Sequence, residues 1–163
     1  MFHAAPVSHA DPKIFYDELA QQLEGLLTGE RDLIANAANM AALIFNSVPR
    51  LNWAGFYFLR GDTLVLGPFQ GQPACVRIAL GKGVCGAAAQ SRETQRVEDV
   101  NAFPGHIACD SASRSELVVP LIRGGVVFGV LDLDSPEPAR FAAVDQAGIE
   151  RLAAIFVAAS DAL

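Results

Sequence analysis

Three cysteines, Cys75, Cys85 and Cys109, and three carboxylates, Glu116, Asp132 and Asp134, are the residues of this 163-residue chain whose types and spacing invite chemistry. A thiolate attacks electrophilic centres, and two thiols brought together by a fold can hold and release an electron pair as a disulfide. Cys75 and Cys85 are 10 residues apart and Cys85 and Cys109 are 24 apart, which excludes the close Cys-x-x-Cys pairing of a zinc knuckle or thioredoxin motif. Any pairing must therefore come from the tertiary fold. Cys109 lies in His106-Ile107-Ala108-Cys109-Asp110-Ser111-Ala112-Ser113, whose polar flanks argue for exposure rather than for a cysteine packed as a small hydrophobe. Asp132 and Asp134 are two apart on a strand-like run and so share a face. Crowded carboxylates repel one another, so at least one holds its proton at neutral pH and can serve as a general acid. Glu116, just after the cysteine segment, is the third candidate acid.

The elements that must position these groups are helical at the ends and extended in the middle. Asp11-Pro12 is an N-cap carboxylate followed by proline at the first helical position. Phe15, Leu19, Leu23 and Leu26 follow at helical spacing, and Gly29 stops the run. Leu33, Ala37, Met40, Ala41 and Ile44 mark a second helix that ends before Pro49. Aromatic and β-branched residues then predict a hairpin, Trp53 to Leu59 and Thr63 to Leu66, turning at Arg60-Gly61-Asp62. Val76 to Leu80 reads as a strand, Gly81-Lys82-Gly83 opens an alanine-rich helix through Cys85 to Gln90, and Arg96 to Val100 adds a further strand. A long loop from Asn101 to about Ser115 carries Cys109, and loops of that length in a compact domain usually serve function. Leu117 to Ile122 and Val126 to Leu133 form a second hairpin across Arg123-Gly124-Gly125. Ile149, Leu152, Ala153, Phe156 and Val157 give a closing helix.

This hairpin sets a geometric condition. A regular two-residue turn at Gly124-Gly125 pairs Arg123 with Val126 and puts Glu116 opposite Leu133, away from the face of the aspartates. A bulge repairs the register, and Pro120, which cannot donate to a ladder, is the expected site for one; the alternative is that Glu116 lies beyond the regular pairing. Without such convergence, Asp132 and Asp134 read simply as a solvated strand end before Pro136.

Length and composition give one α+β domain over residues 11–163, a mostly antiparallel central sheet flanked by N- and C-terminal helices, preceded by a flexible segment over 1–10. With 52% hydrophobic and 18% charged residues the chain is globular, and a net charge of −6 disfavours nucleic acid or an anionic membrane as partner. Its N-terminus lacks the basic start and apolar core of a signal peptide, and no run is long enough to span a membrane, so the expectation is a cytoplasmic protein. An odd cysteine count in a reducing compartment favours reactive thiols over a permanent staple.

Five segments, in order, then carry a resemblance. Asn52-Trp53-Ala54-Gly55-Phe56-Tyr57, Leu66-Gly67-Pro68-Phe69-Gln70-Gly71, Gly81-Lys82-Gly83-Val84-Cys85-Gly86, His106-Ile107-Ala108-Cys109-Asp110 and Gly129-Val130-Leu131-Asp132-Leu133-Asp134-Ser135 resemble the free methionine-(R)-sulfoxide reductases, which are single-domain GAF proteins. The likeness runs from about Asp11 to Phe156, and all three cysteines fall where that family has its redox cysteines. It implies reduction of free methionine-(R)-sulfoxide rather than the peptide-bound residue, with thioredoxin as electron donor and no bound cofactor or metal. By analogy Cys109 is the nucleophile and Cys75 the resolving thiol. Cys85 suits a relay of oxidation, an alternative disulfide or simple packing.

The chemistry is consistent with the residues themselves: reduction of a sulfoxide needs a thiolate to attack sulfur while an acid protonates the oxygen. Glu116 and Asp134 are the candidate acids, and Asp132 can hold the substrate ammonium. Trp53 and Tyr57, four apart on one strand, share a face; burial statistics alone give core packing, while the resemblance favours an aromatic wall for the S-methyl group. His106 could lower a thiol pKa or complete a Cys3His zinc site, but the cysteine gaps fit zinc poorly. Gly81-Lys82-Gly83 lacks the length and hydroxyl residue of a Walker loop, yet the helix N-terminus behind it offers amides to a substrate carboxylate. The terminal helices offer a surface for a homodimer. The alternative reading is a GAF module that senses a small molecule or redox state without turnover.

Overall fold

The computed structural model describes residues 7, 10–107 and 111–161. Its element order is α1 (Pro12–Leu27), α2 (Leu33–Ser47), β1 (Trp53–Arg60), β2 (Thr63–Gly71), β3 (Arg77–Ala79), α3 (Gly83–Ser91), β4 (Gln95–Val97), a short 3-10 turn (Val100–Ala102), β5 (Ser115–Arg123), β6 (Val126–Ser135) and α4 (Ala143–Ala159). The six strands form one sheet in the order β3-β2-β1-β6-β5-β4, with every pairing antiparallel.

Local chemistry starts the helices where the sequence predicts. The Asp11 carboxylate accepts from the Lys13 amide at 2.8 Å and Asp32 accepts from Ala35 at 2.8 Å, each satisfying a free helix N–H for about 1 kcal/mol. The apolar stripes of α1, α2 and α4 pack with Ala54, Phe56, Phe58, Leu117, Val119, Leu121, Leu131 and Leu133 into one core. A second core on the opposite sheet face gathers Trp53, Tyr57, Val118 and Val130 with Val84, Cys85 and Ala88 of α3. The strands are thus buried on both sides, and the second side is where the chemistry-bearing residues converge. Helix α3 sits very close to β3, since a Cβ on Gly86 would lie 2.5 Å from the Ala79 carbonyl oxygen.

Several boundaries differ from expectation. Strand β2 does not stop at Leu66. It runs to Gly71 through a bulge at Gly67-Pro68, where Tyr57 pairs with Leu66 but Gly55 pairs with Phe69. Pro68 is tolerated because the β3 ladder reaches only Val65, so no neighbour there needs its missing N–H. Strand β4 ends at Val97 rather than Val100, because Asp99 caps the following 3-10 turn through the Asn101 amide.

The expected bulge between β5 and β6 exists, but not at Pro120. Arg123 pairs with Val126 and Ile122 with Val127, after which Leu121 pairs with Gly129, so the extra residue is Phe128 on β6. Pro120 stays in register opposite Val130. Gly124 and Gly125 adopt φ of 55° and 79°, the left-handed pair that a tight hairpin requires. The shift of one residue at Phe128 moves every later side chain of β6 to the other face relative to β5. Glu116 therefore pairs with Asp134 instead of Leu133.

Candidate functional site

Register alone assembles the site. Across β1, β6 and β5, Trp53 pairs with Asp134 and Asp134 with Glu116, making one row; Gly55, Asp132 and Val118 make the next. Paired residues point to the same face. Trp53, Glu116, Asp132 and Asp134 thus line one cavity, joined by Tyr57, Cys85 from α3, His106, Ile107 and Ser113.

Gly55 explains how the aromatics fit. A Cβ there would stand 2.4 Å from Phe69 Cβ and 2.7 Å from Trp53 Cη2, so the missing side chain lets the indole lie flat. Trp53 stacks between Tyr57 and Phe69, with ring centroids 5.9 Å and 5.3 Å away. Its Nε1 donates to the Gln72 carbonyl at 3.1 Å, and the Tyr57 hydroxyl donates to the Cys75 carbonyl at 3.0 Å. Both aromatics therefore anchor the segment that carries Cys75. The Tyr57 hydroxyl is thus engaged by that backbone.

Cys75 is disulfide-bonded, and Cys85 is a free, buried thiol. Cys109 lies outside the described residues. The described residues nearest to it in the chain make hydrogen bonds of their own. His106 N–H donates to Phe103 at 3.1 Å, the Asn52 side-chain amide donates to Ser113 Oγ at 3.1 Å, and Arg114 N–H donates to Ser135 at 2.8 Å. Asn52 and Ser113 did not stand out in the sequence. Only Asn52's place beside Trp53 hinted at a role.

The acids sit in an unusual environment. Glu116 and Asp132 are 7% and 5% exposed, and Cys85 Sγ donates to Glu116 Oε1 at 3.9 Å. Burial, reinforced by the charges of Asp132 and Asp134, pushes the Glu116 carboxyl well above the usual range. Burial also raises Asp132, to about 7, against hydrogen bonds from Cys85 and Glu116 that favour its ionised form. The Cys85 thiol is pushed well up by burial and then by the charge of Asp132, which keeps it protonated and a poor nucleophile. Burial lowers His106. Asp132 lines the cavity, and its buried Oδ1 has no hydrogen-bond partner. The arrangement combines a neutral carboxylic acid, a second carboxyl with an unpartnered buried oxygen and an aromatic wall beneath a segment holding a redox-engaged cysteine. It suits a small cationic ligand whose reacting group takes a proton.

Fold and site together define a GAF-domain protein, and the GAF domain family model matches residues 35–159. The chain is 50% identical over 140 residues to the free methionine-R-sulfoxide reductase of Escherichia coli strain K12, covering 86% of this chain and 85% of that one. It superposes with a TM-score of 0.92 on the X-ray structure of free methionine-R-sulfoxide reductase from Neisseria meningitidis in complex with its substrate, at 44% identity and with 96% and 95% of the two chains covered. A GAF protein structure from Burkholderia vietnamiensis matches at 60% identity and a TM-score of 0.90, covering 93% of this chain and 96% of that one. The chain belongs to the free methionine-(R)-sulfoxide reductase family of GAF-domain enzymes. Among the described residues no helix is long and apolar enough to cross a membrane.

Proposed function

We propose that this chain reduces free L-methionine-(R)-S-oxide to methionine, using Cys109 as nucleophile, Cys75 as resolving thiol and thioredoxin as reductant. The observation that carries the reading is the convergence of Glu116, Asp132 and Asp134 with Trp53 in two adjacent rows on one face of the sheet, beside the disulfide-bonded Cys75. Asp132, with its unpartnered Oδ1, accepts the substrate ammonium. Trp53 and Tyr57 enclose the S-methyl group. Glu116, held neutral by burial, or Asp134 beside it gives a proton to the sulfoxide oxygen.

The Cys109 thiolate attacks the sulfoxide sulfur as the oxygen is protonated. The S–O bond breaks, and methionine leaves with its sulfur reduced by two electrons. The S–S bond made in the attack breaks as the hydroxyl passes from the methionine sulfur to the Cys109 sulfur, which becomes a sulfenic acid, oxidised by two electrons. Cys75 then attacks that sulfur, releasing water and forming the Cys75–Cys109 disulfide. A thioredoxin dithiol returns the electron pair by exchange and becomes a disulfide itself. Cys85, buried and held neutral beside Glu116, takes no redox step.

One mixing experiment without thioredoxin tests the order. Cys109→Ser should form no methionine, whereas Cys75→Ser should form about one equivalent and then stall. A full burst from Cys109→Ser with none from Cys85→Ser would assign the nucleophile to Cys85 and overturn the scheme.

A further inference from the structure

The buried trio beside the aromatic wall has a donor chemistry of its own. Cys85 Sγ, a Glu116 carboxylate oxygen and an Asp132 carboxylate oxygen all lie within 4.8 Å of one another. Cys85 Sγ and Glu116 Oε1 are 3.9 Å apart. Zinc bonds of about 2.3 Å to sulfur and about 2.1 Å to oxygen place neighbouring ligand atoms roughly 3.6 Å apart in a tetrahedron, so a small side-chain adjustment closes the set. A separate observation points to a missing ligand: Asp132 is 5% exposed and its Oδ1 has no hydrogen-bond partner. A buried acceptor of that kind is costly unless a donor or cation meets it.

We propose that Cys85, Glu116 and Asp132 form a binding site for a thiophilic divalent cation of the zinc class, and that the bound ion excludes the substrate ammonium from Asp132. One sulfur and two carboxylate oxygens make a three-ligand set that leaves a fourth position for water. Calcium and magnesium take six or more oxygens and avoid thiolate, so this set selects against them. The trio is distinct from the Cys3His combination, which the cysteine gaps disfavour. On binding, Cys85 releases its thiol proton and Glu116 its carboxyl proton to solvent, and no oxidation state changes. The charge of the ion offsets the repulsion among the three anionic groups that this deprotonation creates. Exclusion of the ammonium rests on the substrate reading above; binding of the ion does not.

Co2+ is a suitable probe, because thiolate ligation gives a near-ultraviolet charge-transfer band and tetrahedral Co2+ absorbs strongly in the visible. The full-length protein is titrated in its disulfide form, where Cys85 is free. Both bands should grow to one equivalent and be discharged by Zn2+. Cys85→Ser should lose the charge-transfer band, and Asp132→Asn and Glu116→Gln should each weaken binding about tenfold or more. A wild-type titration with no charge-transfer band, or an equal band in Cys85→Ser, would overturn the site. So would unchanged affinity in both carboxamide variants, which keeps the test decisive if Cys85→Ser does not fold. Free methionine-(R)-sulfoxide should weaken Co2+ binding; a Cys85-dependent band indifferent to it would overturn the exclusion. The spectrum needs no turnover, so its failure is distinct from failure of the reductase reading.

Discussion

Replacing Asp132 by asparagine should make the protein more stable above neutral pH while destroying its affinity for substrate. Burial raises this carboxyl from 3.8 to about 7 in the folded state. Between those two pH values the folded chain holds a proton that the unfolded chain has released, so stability falls as pH rises across that window. Integrated at about 1.4 kcal/mol per pH unit, the loss reaches at most on the order of 4 kcal/mol once the pH passes 7. Asparagine keeps the shape and carries no charge, so it escapes this loss. At pH 8 the variant should gain up to about 4 kcal/mol, a rise in Tm of up to roughly 8–16 °C for a chain of this size; at pH 4 the two proteins should nearly coincide. Urea denaturation of both proteins at pH 4, 6 and 8 measures the difference. A gap that does not widen with pH, or a variant less stable at pH 8, would refute the argument that the uncompensated charge of Asp132 strains the folded state.

Three further outcomes follow from the geometry. Glu116→Gln removes the neutral acid and should lower kcat about 10²-fold or more in steady-state assays, with Asp134→Asn doing the same if the proton comes from there. Near-normal rates in both would remove carboxyl acid catalysis from the mechanism. Trp53→Ala should chiefly raise KM, because the indole forms the wall of the pocket; an unchanged KM would count against that role. Gly148→Ala should lower stability by about 1–3 kcal/mol without touching the site, since the new Cβ would stand 2.2 Å from Tyr16 Cγ where α1 packs on α4. Thermal unfolding checks it, and an unchanged Tm would mean that the two helices part easily.

Much of the scaffold was legible because its cues are local. Asp11-Pro12 and the spacing of Phe15, Leu19 and Leu23 placed α1, and Gly124-Gly125 placed the second hairpin. The site was legible as a set of residues, through the cysteines and the paired aspartates, but its assembly depended on a register that no local cue fixed. A bulge was one way to bring Glu116 to the aspartates, and Pro120 drew the attention because it lacks a donor, whereas Phe128 supplied the extra residue. The neighbouring glycine was the available hint: a Cβ on Gly129 would meet the Tyr57 carbonyl oxygen at 2.5 Å, and glycine within a strand often marks such a place. Gly67-Pro68 misled in the opposite sense, reading as a strand end although β2 continues through it. The raised carboxyl pKa values were foreseeable in direction, since crowding was evident. Burial as their largest cause was not, because it arises only when α3 closes over the sheet.

The central claim is that this pocket turns over the free amino acid, gripping its ammonium at Asp132 and returning its oxidised thiols through thioredoxin. It is tested most directly by NADPH consumption in the presence of thioredoxin and thioredoxin reductase, with free methionine-(R)-sulfoxide, its (S) epimer and the N-acetylated (R)-sulfoxide as separate substrates. The account predicts continuous NADPH loss with the first alone. Comparable rates with all three, or none with free methionine-(R)-sulfoxide, would contradict it.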